Sequence, residues 1–145
     1  MPRVAAFVLL ASVGCQKPSA ESPEGAFRLF AEAMRKSDVK AAFGLLSEKS
    51  KAALGAKSKA LAEASKGTLK DEPSVLLVSP RRASPLVSVT VQEEDATRAV
   101  LTVTTCREAL DAGGTCPKDA DVQERVTMVK EVQRWALDLP ELVTP

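Results

Sequence analysis

Histidine and tyrosine are both missing from this 145-residue chain, and tryptophan occurs once. Without histidine there is no imidazole to move protons near neutral pH, and every histidine-containing metal site is excluded. Without tyrosine there is no phenolic donor for an oxyanion. No C-x-x-C pair and no G-x-S-x-G elbow occurs. Gly55-Ala56-Lys57-Ser58 ends like a phosphate-binding loop, but it lacks the earlier glycine and a strand before it. The sequence therefore gives no catalytic residue, no metal site and no cofactor, and it reads as a non-enzyme. No apolar run reaches the ~18 residues a membrane-spanning helix needs. Acidic and basic residues nearly balance, 19 against 20. That leaves no positive surplus for nucleic acid, whose phosphates demand one.

What is present begins at the N-terminus. Arg3 precedes a short apolar run, Ala5 to Val13, and then Ser12-Val13-Gly14-Cys15. The run is too short to span a bilayer and suits export. The tetrapeptide looks like a bacterial lipobox with its small residue before the modified cysteine, although serine stands at its first position. Residues 1–14 are expected to be a lipoprotein signal peptide, Cys15 the lipidated residue and residues 15–21 a polar tether. The membrane, reached through this anchor, is then the first partner. The location implied is the cell envelope, on the outer membrane facing the periplasm. Removing residues 1–14 takes away one cation, Arg3, and leaves 19 basic against 19 acidic residues.

The stretch from Ser22 to Ser47 predicts two amphipathic helices. Ser22 is an N-cap and Pro23 sits at the first helical position, where a missing N–H does no harm. Phe27, Phe30, Ala31 and Met34 recur at helical spacing on one side, and Glu24, Arg28, Glu32 and Lys36 run down the other. Ser37 and Asp38 offer a second cap before Val39, Ala42, Phe43 and Leu46. A third helical stretch, from Ser47 to Lys66, has a poor apolar pattern. Either Lys57 folds back along it, or it breaks near Gly55. Its lysines scatter round the axis, which reads as a solvated face.

Beyond Gly67 the prolines at 73, 80 and 85 punctuate the chain, and Val75 to Val78 is expected to form a short strand. The period then changes to two. Val87, Val89 and Val91 predict one strand, Thr97 to Thr105 its hairpin partner, Val122 to Glu131 a third strand and Val132 to Leu139 a fourth. With Cys15 taken by lipid, Cys106 and Cys116 are the remaining thiols. They bracket a loop containing Gly113-Gly114 in a chain destined for an oxidising compartment, so they are expected to form a disulfide.

The opening S-P-E-G-A-F-R-L-F-A-E-A-M, the following D-V-K-A-A-F-G-L-L-S and the closing R-W-A-L-D-L-P resemble the nuclear transport factor 2-like (cystatin-like) superfamily. The closest look is to its small bacterial lipoproteins of unknown function. That resemblance implies an α+β fold over residues 22–140, with N-terminal helices packed on a curved, mainly antiparallel sheet to form a cone. Residues 141–145 would be a tail. Enzymes of the superfamily mostly use His, Asp and Tyr groups at the mouth of the cone, two of which this chain lacks. Within such a cone, Phe27, Phe30, Met34, Glu124, Val126, Met128 and Trp135 are the candidate pocket-lining residues. Trp135 stands in an alternating Trp-x-Leu-x-Leu, a pattern more often found in a core than round a ligand. The reading the sequence favours is a non-catalytic domain that binds an envelope protein or another envelope component; the alternative is a small-ligand binder or enzyme with an unrecognised pocket in the cone that takes a small apolar ligand. A filled cone mouth favours the first and an open cavity with converging polar groups the second.

Overall fold

The computed structural model describes residues 17–140. Cys15, the signal segment 1–14 and the tail 141–145 lie outside the described residues. Helix α1 spans Pro23–Arg35, and the Ser22 hydroxyl oxygen accepts from the Gly25 N–H at 3.0 Å. Its apolar stripe buries Ala26, Phe27, Phe30, Ala33 and Met34, while Lys36 and Glu32 pair one turn apart on the wet side. Helix α2, Val39–Gly44, is capped by Asp38, whose carboxylate accepts from the Ala41 N–H.

Helix α3 runs unbroken through Glu48–Ala64, so the break considered near Gly55 does not occur. Gly55 has open space around it, and Lys57 is exposed. The buried stripe is Ser50, Leu54 and Ser58, and its serines are satisfied rather than apolar. Ser58 donates to Asp71 at 2.6 Å, and Ser50 donates to Asp138 while accepting from the Leu139 N–H.

Val75 to Val78 does not form the expected strand. Pro73–Leu77 is a 3₁₀ turn, which buries Leu77 and leaves Val75 and Val78 exposed. A short apolar run without alternation does not distinguish strand from helix, and Pro73 sits at the start, where it favours the turn.

The sheet is an antiparallel meander in the order β1 (Leu86–Glu94), β2 (Arg98–Cys106), β3 (Asp121–Glu131) and β4 (Arg134–Asp138). Helices on one side of a curved antiparallel sheet make the α+β architecture that the resemblance implies. Asp95 closes the first hairpin by accepting from the N–H groups of Thr97 and Arg98. Those bonds hold its carboxyl below the usual carboxylate range. The support it gives is present above its unfolded value and lost as the pH falls through the lower folded one.

Strand β4 begins at Arg134 rather than Val132, because Val132-Gln133 makes the two-residue turn that pairs Glu131 with Arg134. Val132 sits there at φ 57°, a left-handed backbone unfavourable for a β-branched residue. Such a conformation costs about 1–2 kcal/mol, which glycine escapes. Val132→Gly is therefore expected to stabilise the protein by about 1 kcal/mol after the glycine's extra unfolded-chain freedom is discounted. Urea unfolding checks this, and a lowered midpoint would contradict the turn assignment.

The outer edge of β4 is closed by other parts of the chain. Trp135 N–H donates to Ala20 O at 2.8 Å, Leu137 N–H to Leu45 O at 3.0 Å, and Ser47 N–H to Leu137 O at 2.8 Å. Seating Ser19 and Ala20 requires a bare backbone at Gly25, where a Cβ would stand 2.2 Å from the Ser19 carbonyl oxygen. The polar N-terminal segment is thus docked from Ser19 onward. Cys106 and Cys116 are joined as a disulfide, with Cα atoms 5.7 Å apart.

Candidate functional site

Between α1, the loop 79–86, the middle of β3 and the end of β4 lies a cavity of about 400 Å³. Helix α1 lends it Phe27, Phe30 and Ala31 from its inward stripe. Val126 enters from β3, and Leu137 and Leu139 come from the end of β4. These make an apolar floor. The rim is polar, with Ser79, Arg81, Arg82 and Ser84 from the loop and Glu124 from β3.

The rim charges are unequally engaged. Asp138 accepts from Ser47 at 2.8 Å and Ser50 at 3.3 Å, so the N-terminus of α3 holds it in place. Arg125 reaches Glu93 at 3.7 Å, and Arg82 donates to the Leu77 carbonyl at 3.3 Å. Arg81 meets Glu124 at only 3.9 Å, with its side chain 70% exposed. Such a long, solvated pair contributes little to stability and leaves the guanidinium able to take another carboxylate.

Of the sequence candidates, Phe27, Phe30, Glu124 and Val126 meet around this cavity. Met34, Met128 and Trp135 are packed in the core instead, outside the cavity wall. Trp135 is 2% exposed, with the Lys130 ammonium 5.8 Å from its ring centroid. Sequence reasoning missed Arg81, Ser79 and Asp138. The signal for the first was an adjacent Arg81-Arg82 pair in a loop bounded by Pro80 and Pro85, since binding groups gather on loops held by a rigid scaffold. Among the described residues no cluster of acidic, cysteine or histidine side chains could hold a metal ion.

No protein-family model matches the chain, and no curated protein does. One solved structure is similar in fold: a Campylobacter jejuni protein provisionally described as a nuclear transport factor 2-like transpeptidase. It is 13% identical, with a TM-score of 0.42, over 81% of this chain and 98% of that one.

Proposed function

We propose that this protein is a lipid-anchored envelope domain that binds a small ligand, without catalysis, in the cavity beneath α1. The observation that carries the reading is the open space itself. At about 400 Å³ it lies within the range of small-molecule sites, with apolar walls and a few polar groups at the rim. Arg81 suits a ligand that joins an apolar body to an anionic group. The absence of histidine and tyrosine supports a binding role over proton-transfer chemistry.

The fluorescent apolar anion 8-anilinonaphthalene-1-sulfonate tests the pocket directly. It should bind the folded protein, and Val126→Trp, which fills the floor, should weaken that binding at least tenfold. Equal binding by the variant, or none by the parent, would overturn the pocket reading.

The location rests on Cys15. Acylation there would fix the domain to the outer membrane facing the periplasm, at about 0.8 kcal/mol for each buried methylene. Cys15→Ala should abolish labelling by a fatty-acid probe and release the protein from the membrane fraction. A variant that stays labelled would refute the anchor.

A further inference from the structure

Strand β3 is longer than its partner. Strand β4 pairs with β3 only over Thr127–Glu131, so the stretch Asp121–Val126 has no strand on that side among the described residues. Two bonds fix which way its backbone points. Arg107 N–H donates to Ala120 O, and Lys130 N–H donates to Thr97 O, each across the line between β2 and β3. The register between these ends is continuous. Alternate residues of an antiparallel strand serve the same neighbour, so the even-numbered residues of β3 serve β2. Thr127, Val129 and Glu131 serve β4. Gln123 and Arg125 turn their N–H and C=O groups the same way, into the notch where β4 has stopped.

The cavity reaches this notch. Four consecutive residues, Glu124, Arg125, Val126 and Thr127, line it. Successive residues of a strand face opposite sides, so a cavity touching all four runs along the strand's edge as well as its inner face. The other free edge of the sheet differs. Strand β1 carries two register irregularities and ends in Glu93-Glu94, features that blunt pairing with another chain. The β3 notch has no register irregularity, and its pairing with β2 runs without a break.

We propose that the ligand of this cavity is an extended peptide that adds to β3 as a short strand, pairing with the backbones of Gln123 and Arg125. The inference rests on the pocket reading above and names its ligand class. Main-chain bonds along the free edge supply affinity, and alternate side chains are read by the neighbouring pocket. An apolar side chain enters the floor formed by Phe27, Phe30, Val126 and Leu139. An acidic side chain lies against the exposed Arg81 guanidinium, whose contact with Glu124 is long enough to yield.

The probe is a library of acetylated hexapeptides with Val, Leu or Phe at alternate positions and Thr, Ser, Asp or Glu between them. The best binder should displace 8-anilinonaphthalene-1-sulfonate, and the selected set should be enriched in one acidic position. N-methylating its strand-facing amides one at a time should weaken it at least tenfold, since each loses a donor. Arg125→Pro removes an outward N–H and leaves the ladder to β2 intact, a placement that edge strands tolerate. It should weaken the peptide at least tenfold, whereas Arg125→Ala, which keeps the N–H, should change peptide affinity by less than threefold. Peptides that ignore both N-methylation and Arg125→Pro would overturn the proposal. So would dye binding with no peptide able to displace it, an outcome that keeps the pocket and removes the peptide. Failure of both dye and peptides would remove both readings. The N-methyl series needs no variant protein, so it tests the strand pairing even if Arg125→Pro does not fold.

Discussion

Replacing Phe30 with alanine is expected to destabilise the domain by about 3–5 kcal/mol, the range for emptying a buried aromatic site. Phe30 is 4% exposed and stands 6.1 Å from Phe27, centroid to centroid, with the rings tilted at 44°. Both rings lie where α1 meets the sheet, and they form the wall between the packed core and the cavity. A loss of this size is a large share of the ~5–15 kcal/mol by which a domain is held together. Arg28 is on the same helix but faces water. Arg28→Ala should change stability by less than about 0.5 kcal/mol. Urea unfolding of the two variants decides the matter. Equal losses would mean that α1 presents a different face to the sheet.

The second large effect is expected at the disulfide. Exchanging Cys106 and Cys116 for serine should remove about 3 kcal/mol, from the entropy gained by an unfolded chain no longer closed into a loop of roughly eleven residues. The melting temperature should drop by about 10 °C. Cys106 is fully buried at the end of β2, so its serine replacement also buries a hydroxyl. Two bonds anchor the same corner independently: Cys106 N–H to Pro85 O and Arg107 N–H to Ala120 O. The reduced protein should therefore stay folded at room temperature. Calorimetry with and without a reductant measures the difference. A reduced protein as stable as the oxidised one would contradict the loop-entropy argument.

Helix α1 was legible because its buried positions are apolar and its cap is a serine before a proline. The span of α3 was legible too, but its buried face was not, because two of its three buried positions are Ser50 and Ser58, and a hydrophobic pattern cannot register a face buried through hydrogen bonds. The β1–β2 hairpin announced itself through the alternation of Val87, Val89 and Val91. The β3–β4 turn did not, since Val132-Gln133 carries no turn residue and accepts a strained backbone instead. The candidate site divides along the same line. Phe27, Phe30, Glu124 and Val126 were readable from period and from resemblance. The rim was hidden because loop 79–86 has no period, and because a polar loop residue gives no sign of the strand it will face. The stopping point of β4 was equally hidden, since Leu139 continues the alternation beyond the last paired residue, Asp138.

The closure of the β4 edge has a consequence in time. Ala20, Leu45 and Ser47 emerge early from the ribosome, yet their partners Trp135 and Leu137 are made about ninety residues or more later. Until β4 arrives, the stripe of α1 has only part of its sheet to cover it, and the free backbone groups near Ala20 and Leu45 have nothing to bind. The domain is thus assembled by its last strand. A chain halted before Arg134 would present Phe27, Phe30 and Met34 to chaperones and proteases, and quality control would read completeness from one short strand.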